Sequence, residues 1–99
     1  MDLEKLYQNE DVHQLVHALT LLGDEHEVEA FLADLCTPRE ICDFAQRLQV
    51  ARLLDEGEPY VEVQTRTGAS STTVSRVSKA LNGERGGYRQ MLIRLEDGV

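Results

Sequence analysis

Cysteine is scarce in this 99-residue chain. Cys36 and Cys42 are the two it has, too few for a disulfide scaffold and without the C-x-x-C pairing of a structural zinc site. Both are expected to be reduced, buried thiols. Proline is as rare, at Pro38 and Pro59, and with seven glycines the composition is far from a collagen-like or low-complexity one. No apolar run approaches the roughly 18 residues of a spanning helix, and the opening MDLEKLYQNEDV lacks the basic start and apolar stretch of a signal peptide. A cytoplasmic protein without a membrane partner is therefore expected. What remains is ordinary globular material: 41% hydrophobic and 28% charged residues, enough to fold, in a length that suits one domain.

Positive charge is also short, and the net charge is −8, which as a whole repels nucleic acid. Its distribution matters more. Residues 1–58 carry four Lys/Arg against fourteen Asp/Glu, a net −10, whereas residues 59–99 carry six (Arg66, Arg76, Lys79, Arg85, Arg89, Arg94) against four, a net +2. An acidic body thus bears a mildly basic C-terminal part, and any phosphate-facing surface belongs there. Uneven surface solubility explains the same numbers, so charge alone does not decide.

Apolar spacing predicts helices throughout. Leu3, Leu6, Tyr7, Val12, Leu15, Val16, Leu19 and Leu22 fall at steps of three and four, which predicts one long amphipathic helix over 3–22, ended by Gly23. Asp24 and Glu27 have the spacing of a reciprocal cap before a short second helix with Val28, Phe31, Leu32 and Leu35. Thr37-Pro38-Arg39-Glu40 is the strongest helix start: a capping hydroxyl, Pro at the first helical position and a carboxylate three residues after the cap. The third helix then buries Ile41, Phe44, Ala45, Leu48 and Leu53 or Leu54 and stops near Gly57. Pro59 opens a fourth helix ending at Gly68, Ser70 caps a fifth carrying Val74, Val77 and Leu81, and Tyr88, Met91, Leu92 and Leu95 mark a sixth. VEVQT at 61–65 alternates, but between Pro59 and Gly68 it reads as helix. The expected class is all-α with six helices.

The stretch YVEVQTRTGASSTTVSRVSKAL at 60–81 has the layout of a helix-turn-helix: a short helix, a glycine turn, and a second helix opened by small hydroxylated residues. Gly68 permits the sharp turn, and Val74 and Val77 pin the second helix inward. On its free face Ser71, Thr72 and Ser75 can hydrogen-bond base edges in a major groove, and Thr methyls can meet thymine methyls. Lys79 and Arg66 suit phosphates, as do the backbone donors near Ser70 and Ser71. An ordinary pair of core helices would also use Ser and Thr as caps. The clean separation of inward from outward residues favours double-stranded DNA.

The segments LCTPRE (35–40), Arg47, GASSTTVSRVSKALN (68–82) and GGY (86–88) resemble the Trp repressor superfamily, and within it the YerC/YecD branch, over most of the chain. The resemblance implies a six-helix fold in an intertwined homodimer. Residues 1–57 would supply the dimerisation helices, 58–82 the DNA-reading head and 83–99 a C-terminal helix, together one domain. Ser70–Lys79 would be the reading helix and Val61–Thr67 its support, giving Arg66, Ser70, Ser71, Thr72, Ser75, Arg76 and Lys79 as the DNA-binding set. It further implies an amino-acid-like effector between Arg47 and Arg76, with Thr37 at the pocket edge. Two departures argue against tryptophan: Val77 stands where the Trp repressor has glycine, taking volume from the pocket, and Ala80 stands where it has serine, removing a polar partner.

Other signals are weaker. His13 and His17, four apart with Glu10 a turn away, lack the glutamate of a zincin and a clear fourth ligand, so no metal is expected. Cys36 and Cys42 flank a helix start without the cationic surroundings of a redox pair. No nucleophile elbow, phosphate-binding glycine loop or converging carboxylate pair occurs, so neither an enzyme nor a cofactor is expected. The expected function is a sequence-specific transcriptional regulator, a repressor, on a palindromic operator. The rival is a helical protein-interaction module that kept the head's shape but lost DNA reading.

Overall fold

The computed structural model describes residues 2–98, which form seven helices and, among the described residues, no strand. They are α1 (Leu3–Gln8), α2 (Glu10–Thr20), α3 (Glu25–Leu35), α4 (Pro38–Asp55), α5 (Tyr60–Thr67), α6 (Ser71–Leu81) and α7 (Gly87–Gly98). The chain divides into two compact units, 1–37 and 38–99. No helix among the described residues is long and apolar enough to cross a membrane.

In the first unit, the helix expected over 3–22 is broken at Asn9. That residue is extended (φ −63°, ψ 127°), and its side-chain oxygen accepts from the N–H groups of Asp11 and Val12 at 2.9 and 3.2 Å, so it caps α2 and ends α1 together. The apolar spacing runs on through the break because one capping residue barely disturbs a three-four rhythm. Asp24 caps α3 as expected, accepting from Glu27 N–H at 2.9 Å, but the Glu27 carboxylate reaches back to the N–H of Gly23 at 2.7 Å, one residue earlier than a standard reciprocal cap. None of the described residues of α1, α2 or α3 is buried, and Leu15, Val16, Leu19 and Leu21 all stand exposed.

The second unit holds the core: Val50, Ala51 and Leu53 from α4, Val63 from α5, Ala69 from the turn, Val74, Val77 and Leu81 from α6, and Leu92 from α7. Leu48, Leu54 and Tyr88 pack against it. Helix α4 is the spine, in contact with α5, α6 and α7. It buries its C-terminal half, and the expectation that Phe44 and Ala45 lie inward is corrected: both are exposed, Phe44 at 47%, because the apolar core that α5, α6 and α7 close on α4 begins at Leu48 and Val50. The thiol expectation is corrected too. Both cysteines are free, but Cys36 is half-buried and Cys42 exposed.

Candidate nucleic-acid interface

Helix α5 starts after Pro59, which is extended, and Gly68 ends it in the left-handed region at φ 74°, its N–H donating to Gln64 O at 2.8 Å. The turn is tied from three sides. Thr67 Oγ1 donates to Val63 O at 2.7 Å and accepts from Ala69 N–H at 3.2 Å, and Gln46 of α4 donates from Nε2 to Thr67 O at 3.1 Å. Ala69 tucks its methyl into the core, and Ser70 caps α6 by accepting from Thr73 N–H at 3.1 Å. At the far end the Tyr60 hydroxyl donates to Ser78 Oγ, linking the start of α5 to the last turns of α6. Asn82 Nδ2 donates to Ser78 O at 2.9 Å. The angle between α5 and α6 is thus held at the turn and again at their open ends.

Val74, Val77 and Leu81 are buried, whereas Ser71, Thr72, Ser75, Arg76 and Lys79 are exposed along α6. Ser70 is exposed at the cap. Arg66 is exposed near the end of α5, with Nη1 at 3.9 Å from Glu58 Oε1, an ion pair too loose and too wet to hold the guanidinium firmly. The exposed face of α6 carries hydroxyls and two cations, Arg76 and Lys79, and no residue of α6 is a carboxylate; Glu58 stands beside the third cation, Arg66 of α5.

Arg47 of α4 and Arg76 of α6 line one cavity of about 160 Å³ with Thr73, Val77, Ala80 and Tyr88. The Arg47 guanidinium also sits 5.6 Å from the centre of the Phe44 ring. Thr37 is the last residue of the first unit, directly before α4. Thr73 was missed by the sequence reading, although 73, 76, 77 and 80 follow the three-four rhythm of one helix face and could have been found that way. Among the described residues no group of three His, Cys, Asp or Glu comes close enough to hold a metal, and His13 and His17 are simply exposed on α2.

The family profile described as Trp repressor protein matches residues 10–96. The chain belongs to the Trp repressor protein family. It is 41% identical over 97 residues to the uncharacterized protein YerC of Bacillus subtilis (strain 168), covering 98% of this chain and 92% of that one. A TrpR-like protein from Eubacterium eligens ATCC 27750 superposes with a TM-score of 0.85 at 37% identity, over 93% of this chain and 95% of the other. A candidate Trp repressor from Staphylococcus aureus gives 0.87 at 35% identity, over 97% and 95%. These matches place the chain among Trp-repressor-related proteins of the YerC type, with an all-helical fold.

Proposed function

We propose that the protein is a sequence-specific DNA-binding transcriptional regulator, a repressor, acting as a homodimer on a two-fold operator. One observation carries this reading: the hydroxyl-rich side of α6 is open while its valine side is pinned in the core. A helix so mounted fits a major groove. Thr72 and Ser75 then read base edges, and Ser70, Ser71, Arg66, Arg76 and Lys79 set the head on phosphates, where specificity and positioning divide as they do in protein–DNA contacts generally. Occupied operator excludes polymerase, hence repression.

Dimerisation is supported by the first unit, which buries none of its described side chains. Helices of six and eleven residues are marginal alone and need an apolar surface to pack on. In this reading residues 1–57 supply the dimer helices, 58–82 the head and 83–99 a supporting helix. A small-molecule effector between Arg47 and Arg76 completes the proposal.

Selection of bound duplexes from a random pool tests it. The expected product is a two-fold motif whose half-sites lie about 10 bp apart, or a multiple of that. A pool that stays random, with binding insensitive to salt, overturns the reading in favour of a protein-interaction module.

A further inference from the structure

Helix α5 is held more by hydrogen bonds than by packing. Among the described residues it buries one side chain, Val63, where α6 buries Val74, Val77 and Leu81. Pro59, which precedes it, has no side-chain acceptor, so the first turn is without a side-chain cap. Eight residues make a marginal helix by themselves. The ion pair from Arg66 to Glu58, 3.9 Å long between partly exposed side chains, adds little.

What fixes the two ends of α5 are side-chain bonds to neighbouring helices. Gln46 of α4, half-buried, donates from Nε2 to Thr67 O at 3.1 Å, and Tyr60 donates to Ser78 Oγ of α6. We infer that Gln46 and Tyr60 are positioning residues for sequence discrimination: standing outside the proposed DNA-contact set, they hold α5 against α6 and so fix where Arg66 meets the duplex relative to the hydroxyls of α6. The inference deepens the DNA-reading part of the function proposed above, and rests on that part.

Leverage is the reason two such bonds matter. A swing of about 10° about Val63, midway along a helix about 12 Å long, shifts either end by about 1 Å. That is roughly twice the spread of good N–H···O lengths. Phosphate contacts set the register in which bases are read, so an Arg66 that wanders by this much leaves Thr72 and Ser75 misaligned with base edges. Attraction between a guanidinium and phosphate falls off only with the inverse of distance and survives the same shift. Loosening α5 thus costs discrimination while leaving general affinity for duplex in place.

Tyr60→Phe, Ser78→Ala and Gln46→Met each delete one partner of a tie and leave the shape nearly unchanged. Fluorescence anisotropy, at a temperature well below every variant's thermal midpoint, compares the selected duplex with a random pool. Each variant is expected to lose about three- to tenfold on the selected duplex, the worth of one neutral hydrogen bond. Affinity for the pool and its salt slope should stay at wild type. Y60F/S78A should be no weaker than either single variant, since both remove the same bond, whereas Y60F/Q46M should lose more than either.

Equal loss on both duplexes, or a lower denaturation midpoint with the selected-to-random ratio unchanged, reduces the ties to fold stability and overturns the inference. Additive losses in Y60F/S78A overturn it too, because the Tyr60 hydroxyl would then meet the duplex itself. A wild-type protein that selects no duplex overturns the function proposed above, and the inference with it. A wild type that selects a motif which all three variants bind equally well overturns the inference alone.

Discussion

Gly68 is the residue on which the head turns. Its φ of +74° lies where an L side chain is strained, and a built Cβ would meet nothing nearer than Gln46 Nε2 at 4.0 Å, so space is not what keeps it a glycine. Gly68→Ala is therefore expected to destabilise the fold by about 1–2 kcal/mol through backbone conformation alone. Chemical denaturation at fixed protein concentration reads this as a lower midpoint with unchanged slope. An unchanged midpoint would mean the turn relaxes to negative φ. Ser70 acts differently, because its side chain satisfies the Thr73 N–H that α6 cannot satisfy itself. Ser70→Ala should cost about 1 kcal/mol, whereas Ser70→Asp, which can still cap and places a negative charge at the helix N-terminus, should keep most of the stability. Since that carboxylate would face the duplex, Ser70→Asp should still weaken DNA binding. Stability and binding part company at this one position.

At the scale of the element, α6 divides its two jobs by face, and the division predicts two kinds of mutant. Thr72→Ala and Ser75→Ala remove the groups proposed to reach base edges, and should change the preferred sequence while leaving the salt dependence of binding close to wild type. Lys79→Gln should weaken every sequence alike and lower the slope of log affinity against log salt by about one. Gel shifts on selected and random duplexes over a salt series separate these outcomes, and similar behaviour of both kinds would mean that this face does not read bases. Most of α6 was legible in the sequence, because Ser70, Val74, Val77 and Leu81 obey local rules of capping and periodicity. Less legible was whatever depends on what covers a helix. Phe44 has the spacing of an inward residue, but spacing gives the direction of a side chain and not the presence of a neighbour on that side. The cavity was half legible: Arg47 and Arg76 stood out by resemblance and Thr73 shares the helix face of Arg76, while Tyr88 joins them through packing between α4, α6 and α7 that no local pattern records. Asn9 offered the reverse lesson. Its capping chemistry was local and visible, yet the continuous apolar rhythm on either side concealed it.

At the scale of the molecule, the first unit and the net charge pull association in opposite directions, and salt is the lever that separates them. In the proposed dimer, burial of the exposed Leu15, Val16, Leu19 and Leu21 would favour a second copy, each gaining only part of the roughly 1.5–3 kcal/mol of full burial because each is already partly covered, while a charge of −8 on each chain would oppose it. Added salt screens that repulsion with a Debye length of about 8 Å at physiological strength, so dimerisation should strengthen as salt rises. Binding to a duplex releases counterions and should weaken over the same range. Sedimentation equilibrium across a salt series should therefore show a tighter dimer where gel shifts show a looser complex. Leu19→Glu tests the surface itself. On a solvated helix it should change stability by no more than about 0.5 kcal/mol; in a dimer seam it should bring the protein to monomer, with loss of the concentration dependence that the thermal midpoint of a dimer must have. A thermal midpoint independent of concentration in the unaltered protein, with Leu19→Glu neutral, would leave the apolar face of α2 without its second copy and remove the two-fold geometry on which a palindromic operator depends.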